Sequence, residues 1–314
     1  MESLKLSFEA IAPIFILMLL GYTLKKLKVA DKEGFDTVNR LVFKVFLPVL
    51  LFYNLYKTQT ASVIDVKLIL YTICGVLLTC IIGYFAVLKL TQENKKRGVM
   101  LQGFFRANFA ILGIPLVNYI CGENAGGVTS FMVAVVVPLF NILAVVALER
   151  FREGRTRLNI RGLIKGVVTN PLIIGTMIGL VFFFFDLRLP KILENSVRDV
   201  SAIATPLAII ALGAEFAFGG VKGNGKEIAV VVLSRLVFVP LLFIPPAIAM
   251  GISGESLACL LITFGGPIAV SSFSMSQQMG GDENLSAQTI IASSALCLLT
   301  LFLWIFTLSS IGLF

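Results

Sequence analysis

The chain has 314 residues, of which 57% are hydrophobic and 14% charged, with a formal net charge of +8. Soluble domains usually carry about 25% charged residues, so this composition excludes a soluble enzyme and predicts an integral membrane protein. Histidine is absent from the sequence, which excludes Ser-His-Asp and Cys-His catalysis and histidine metal sites. The five cysteines stand singly, without a CxxC pair, so the sequence predicts no catalytic residues, metal site or cofactor.

Ten apolar windows follow one another along the chain, each close to the roughly 20 residues that a membrane-spanning helix needs. They lie at residues 6–24, 38–56, 68–90, 98–120, 128–148, 166–186, 199–218, 228–250, 256–279 and 286–310. The pattern predicts an all-α integral membrane fold of ten transmembrane helices, with no separate soluble domain.

The connectors between the windows differ in their basic residues. The odd-numbered connectors contain 17 Lys and Arg, whereas the other side contains 6. Cytoplasmic loops are enriched in Lys and Arg, so both termini are predicted outside the cytoplasm of a cell inner-membrane protein. The basic excess then faces anionic lipid rather than nucleic acid.

Glycine and proline positions repeat at an offset of 158 residues. The matched positions are Pro13 with Pro171, Gly21 with Gly179, Pro48 with Pro206, and Gly122 with Gly280. This offset divides ten spans into five and five, so the second copy must enter the membrane in the opposite orientation. The sequence predicts two inverted five-helix repeats, 1–150 and 166–314, joined by a cytoplasmic connector at 151–165.

Spans four and nine, which occupy equivalent places in the two repeats, contain helix-weakening residues. Span four contains Gly113 and Pro115, and span nine contains Gly265, Gly266 and Pro267. Freed backbone groups inside a membrane must be satisfied by protein or must line a cavity. We therefore predict broken, crossing helices that form a binding site, with an ordinary proline kink as the alternative.

A resemblance to a known family rests on these residues. Asn108, followed by Gly113-Ile114-Pro115-Leu116, resembles the Asn-x4-Gly-Ile-Pro-Leu stretch of the auxin efflux carrier family. That family includes plant PIN-FORMED carriers and bacterial permeases for malate or malonate. Asn170-Pro171 and Pro206-Leu207-Ala208 are also similar to it. The resemblance implies a fold like the bile-acid symporters and sodium/proton antiporters, in which spans four and nine unwind and cross. Auxin as the substrate does not carry over.

This chain departs from the plant carriers in two respects. Their long central cytoplasmic loop is missing, and Ser272 stands where they have a second proline in span nine. Gly265 and Gly266 are therefore expected to shape that crossing instead.

Polar residues inside spans are candidates for function because they are costly in a membrane. Asn108 and Arg106 are expected to contact substrate, although Asn108 could instead cap a half-helix and Arg106 could instead snorkel or pair with Glu215. Lys44 and Arg235 lie within snorkelling reach of the cytoplasmic surface, and Asn141 is expected to bond between helices. The predicted substrate-binding residues are Asn108, Arg106, Gly113, Pro115, Gly266, Pro267, Ser271 and Asn54.

Three further residues could couple transport to H⁺ or Na⁺, and the sequence does not decide whether they do. Glu215 could carry a proton if it is buried, or could pair with Arg235 or Lys44. Ser272 and Gln277 could contribute oxygens to a cation, or could serve close helix packing.

The predicted function is a secondary transporter that moves a small organic anion, a mono- or dicarboxylate, by alternating access. The alternative is a membrane-embedded sensor or regulatory protein that binds a ligand without moving it. No Walker A motif is present, so ATP is not expected to drive transport. The expected partners are the organic anion and membrane lipids, and a homodimer is left open.

Overall fold

The computed structural model describes residues 2–57, 65–122, 126–152, 165, 168–169, 171–214 and 223–314. Regular secondary structure within these ranges is helical throughout. The first seven helices are α1 (Glu2–Lys26), α2 (Lys32–Leu41), α3 (Leu47–Lys57), α4 (Val66–Leu90), α5 (Asn94–Phe105), α6 (Phe109–Cys121) and α7 (Gly126–Arg150). The others are α8 (Pro171–Phe184), α9 (Lys191–Ala214), α10 (Gly225–Leu233), α11 (Val239–Ala249), α12 (Gly254–Gly265), α13 (Ser271–Met279) and α14 (Glu283–Ser310).

Two π-helical turns join consecutive helices without interrupting them. Val42–Phe46 connects α2 to α3, and Ser234–Phe238 connects α10 to α11. Every predicted apolar window overlaps one or two of the helices. Five segments of the described residues are long and apolar enough to cross a membrane, namely Glu33–Lys57, Val66–Leu90, Phe131–Arg150, Gly225–Ala249 and Glu283–Ser310. The prediction of an all-helical, multi-pass membrane protein is therefore confirmed.

Short-range sequence signals set several helix ends. Asp31, Asp65 and Asp282 each accept a hydrogen bond from a backbone N–H of the first turn that follows, as N-cap aspartates do. Gly122 and Gly280 end α6 and α13 with φ of +94° and +76°, a backbone conformation that glycine adopts at little cost.

Helices α1, α3, α8 and α9 pack closely through glycines, and we call them the glycine-packed group. A Cβ on Gly21 of α1 would lie 1.9 Å from the carbonyl oxygen of Ile210 in α9. Conversely, a Cβ on Gly213 of α9 would lie 2.0 Å from the carbonyl oxygen of Met18. The two backbones therefore touch directly, as small residues allow in membrane proteins.

The second group contains the two pairs of short helices, α5 with α6 and α12 with α13. Residues 257–265 of α12 are all buried, and so are residues 98–109 around the end of α5. Large apolar side chains are exposed on the outer faces of other helices, for example Phe85 on α4 and Leu299 on α14. Such side chains suit contact with lipid, so the protein places its interrupted helices in its interior.

Candidate binding site at the helix crossing

The two interrupted spans meet at their non-helical residues. Between α5 and α6, residues 106–108 leave the helix, and residues 266–270 do so between α12 and α13. The N–H of Asn108 donates to the carbonyl oxygen of Pro267 at 2.7 Å, and the N–H of Ala269 donates to the carbonyl oxygen of Arg106 at 3.2 Å. Each broken helix therefore satisfies backbone groups that the other has freed.

The position of the first break differs from the prediction. Gly113 and Pro115 were expected to free the backbone beside Asn108, but both lie inside α6, so this prediction is wrong. A proline removes one backbone donor, which α6 tolerates, whereas the break forms where a second chain segment offers replacement partners. In span nine, Gly266 and Pro267 do lie in the non-helical stretch, as predicted.

Arg106 lies at the centre of the crossing and is only 3% exposed. Its Nη2 donates to Asn141 Oδ1 at 2.7 Å and to Ser271 Oγ at 2.9 Å. Its Nη1 donates to Gln102 Oε1 at 3.4 Å and contacts Met275 Sδ. None of the ion pairs in the described part of the chain involves Arg106. The guanidinium is thus a buried cation whose partners among the described residues are all neutral.

Buried polar groups without partners belong to residues that are bonded to Arg106 or close in sequence to Arg106 and its partners. Among the described residues, Asn108 Nδ2, Asn141 Nδ2 and Ser272 Oγ have no hydrogen-bond partner. Asn108 occupies the N-cap position of α6, but its side chain makes no capping hydrogen bond. The alternative that Asn108 caps a half-helix through its side chain is therefore wrong. An unsatisfied buried polar group costs about 1–3 kcal/mol, which a bound acceptor would recover.

The position of Arg235 differs most clearly from the one predicted from the sequence. It was expected to snorkel to the surface, but it is 0% exposed and lies in the π-helical turn Ser234–Phe238. Its Nε donates to Gly266 O at 2.8 Å, and its Nη1 donates to Phe104 O and Phe105 O, each at 3.3 Å. Its Nη2 donates to Thr263 O. Carbonyls at helix ends lack intrahelical partners, and this side chain supplies them for both α5 and α12.

Several residues of the crossing were not predicted. Gln102 donates to Ser276 Oγ at 2.6 Å and to Ser272 O at 3.3 Å. The N–H of Ile268 donates to Ser293 Oγ of α14 at 3.1 Å. Their only sequence signal is that they are polar residues in apolar windows, and this signal does not distinguish site residues from packing residues.

The other predicted residues have varied positions. Asn141 bonds between helices, as expected, through its contact with Arg106. Gln277 is exposed and donates to Glu283, at the end of α13 remote from the break. Asn54 lies on α3, but its side chain is outside the described part of the structure, and Glu215 is outside it entirely. Lys44 is exposed in the first π-helical turn.

Discontinuous helices that meet in the interior of a multi-pass membrane protein are typical of secondary transporters, and they define this protein as a membrane transport protein. A family model described as "Membrane transport protein" matches residues 6–305. The chain therefore belongs to that family, which is the auxin efflux carrier family indicated by the sequence.

Relatives with transporter names cover nearly the whole chain. An "Uncharacterized transporter" of Methanothermobacter thermautotrophicus is 25% identical, covering 95% of this chain and 97% of its own length. "Uncharacterized transporter MJ1031" of Methanocaldococcus jannaschii is 24% identical, with coverages of 94% and 97%. "Uncharacterized transporter YfdV" of Escherichia coli K12 is 21% identical, with coverages of 94% and 95%.

Proposed function

We propose that this protein is a secondary transporter of a small organic anion and that the anion binds at the helix crossing. The observation that carries the proposal is the buried Arg106 guanidinium. Its partners among the described residues are all neutral. A carboxylate could accept two parallel hydrogen bonds from it, and such charge-assisted pairs are strong. Asn108 Nδ2 and Asn141 Nδ2 would offer further donors to the same ligand.

The helix dipoles favour the same charge. The N-terminal ends of α6 and α13, which carry partial positive charge, begin next to the break residues. Half-helix N-termini stabilise anions. The opposite, partly negative ends of α5 and α12 are bonded by Arg235, so their charge is offset. Among the described groups, the balance of charge at the crossing is therefore positive.

Alternating access is proposed from the repeat. Gly21 packs against the α9 backbone, and a Cβ on Gly179 of α8 would lie only 3.1 Å from the carbonyl oxygen of Phe52 in α3. These are equivalent contacts if 1–150 and 166–314 are two inverted copies. Gly122 and Gly280 each end a helix with positive φ, at positions that the proposed repeat would make equivalent. Two similar halves can pack in two related ways, and each packing would open the crossing to one side.

The crossing must open before substrate can bind or leave, because residues 101–109 are all buried in the present conformation.

We propose placement in the cell inner membrane with both termini outside the cytoplasm. A monoanion moving down the potential would release about 2.3 kcal/mol per 100 mV. Cysteines placed in the 151–165 connector should then react only with membrane-permeant reagents, and labelling from outside would contradict this orientation.

The decisive experiment is flux into proteoliposomes, measured with a panel of radiolabelled mono- and dicarboxylates. Accumulation of at least one of them, dependent on the protein, is the expected result. Stabilisation of the protein by an anion without any flux would favour the sensor alternative. If no anion stabilises the protein and none enters the proteoliposomes, the proposal is contradicted.

Asn108→Ala should abolish or strongly reduce flux and leave the protein folded, because its buried Nδ2 has no partner among the described residues and belongs to a break residue two positions after Arg106. Asn224→Ala is the matched control. It also removes an amide, but this one donates to Gln288 at 3.3 Å, away from the crossing. Wild-type flux in the Asn108 variant would remove that residue from the site.

A further inference from the structure

Arg235 is surrounded by backbone carbonyl oxygens from both broken helices. Phe104 and Phe105 contribute from the end of α5, and Thr263 and Gly266 contribute from the end of α12. None of the ion pairs in the described ranges involves Arg235. The partners of this fully buried charge among the described residues are thus helix ends, each of which carries a partial negative charge of roughly half an electron.

A cluster of carbonyl oxygens at two converging helix ends is chemically suited to a metal ion. Hard cations such as Na⁺ bind carbonyl and carboxylate oxygens, and unwound carbonyls and half-helix C-termini coordinate coupling ions in transporters of other folds. In this protein the same kind of oxygens already bind a guanidinium. The guanidinium cannot be deprotonated at physiological pH, and it cannot diffuse away because it is part of α10–α11.

We propose that Arg235 is a tethered cation, which takes the place that a mobile metal ion would otherwise occupy at the crossing. The inference rests on the proposed anion transport and adds its ion requirement. If the negative helix ends are already neutralised, binding of the anion at Arg106 needs no accompanying Na⁺ or K⁺. Each transport cycle would then carry the charge of the anion without a compensating metal ion. Arg235 is a positioning residue, because it bonds the two broken helices rather than the substrate.

The wild-type protein provides the first test. The affinity for a transported carboxylate is measured by anion-dependent thermal stabilisation in sodium, potassium and choline buffers of equal ionic strength. The expected dissociation constants agree within about twofold in all three buffers. A loss of tenfold or more on replacing sodium with choline would show that a mobile cation is required and would overturn the inference, while anion transport itself would stand. If no carboxylate stabilises the protein in any buffer and none enters proteoliposomes, it is the proposed function that fails.

The second test removes the tether. In choline buffer, Arg235→Ala should melt at lower temperature than the wild type and bind the carboxylate at least tenfold more weakly. Guanidinium at low millimolar concentration, far below denaturing levels, should restore both properties because it can enter the vacated space and bond the same carbonyls. Sodium should restore them in part.

Lys44→Ala is the matched control, since it removes a cation from the other π-helical turn where the side chain is exposed. Neither guanidinium nor sodium should change the stability or the carboxylate affinity of this control.

Wild-type stability and affinity of Arg235→Ala in choline would overturn the inference. If Arg235→Ala does not fold, Arg235→Lys keeps the charge and should bind carboxylate equally in sodium and choline. Dependence of that variant on sodium would also contradict the tethered-cation role.

Discussion

The two sides of the helix crossing are each organised by a buried arginine, but the partners of the two arginines differ in kind. Arg235 bonds main-chain carbonyls at the ends of α5 and α12. Arg106 bonds side chains, namely Gln102, Asn141 and Ser271. Main-chain partners are fixed by the helices, whereas side chains can rotate and a ligand oxygen can replace them. One side is thus suited to holding the helices together and the other to exchanging ligands.

The largest effect on stability is expected for Arg235→Met, which keeps much of the side-chain volume but removes every donor. Four buried carbonyls lose their bonds to this side chain, and each unsatisfied group costs roughly 1–3 kcal/mol. We expect the free energy of unfolding in detergent to fall by about 4 kcal/mol or more. Denaturant titration measures this, with Arg106→Met as the matched variant on the other side. Equal losses in the two variants would remove the distinction between the two arginines.

A smaller loss is expected for Ser293→Ala. Its Oγ accepts the hydrogen bond of the Ile268 N–H at 3.1 Å and is fully buried. A buried backbone donor without a partner costs about 1–3 kcal/mol. Stability should fall by roughly that amount, and the affinity for carboxylate should change less than threefold. Ser310→Ala on the same helix, where the hydroxyl is exposed, should be neutral. A larger effect on affinity than on stability would place Ser293 on the ligand side of the crossing.

The smallest effect on stability is expected for Arg106→Lys, because the ammonium can still donate to side-chain acceptors. Unfolding should change by about 1 kcal/mol or less, while binding should weaken roughly tenfold to a hundredfold. A lysine cannot offer the planar two-pronged contact of a guanidinium. Thermal melting and anion titration on the same sample measure both quantities. Unchanged affinity would show that Arg106 does not bind the ligand through two parallel bonds.

The sequence predicts the elements of this fold better than their contacts. Apolar windows locate the helices, and Gly266-Pro267 locates one break, because both signals are local. The break before α6 was misplaced because Gly113 and Pro115 are the obvious weak points nearby, yet the helix runs through them. Its true position depends on main-chain partners about 160 residues away, which no local pattern encodes.

The same reasoning explains the two arginines. Arg106 was a candidate because a cation inside an apolar window is costly, and the structure places it at the crossing. Arg235 has the same sequence signal but was assigned to the surface. Snorkelling reach is judged along a single helix, whereas its acceptors come from two other helices. Which buried charge bonds backbone and which bonds side chains is decided by tertiary packing alone.

The antiparallel bridge between Ala107 and Ile268 is made from main-chain atoms. Any amino acid whose side chain fits the space can supply the same N–H and C=O groups, and proline at 267 still offers its carbonyl. The bridge between the two broken spans therefore imposes little demand on the identity of these two residues. We therefore expect the side chains at positions 107 and 268 to differ among relatives of 21–25% identity while the bridge is retained. Variation at these two positions would not show that they are structurally unimportant.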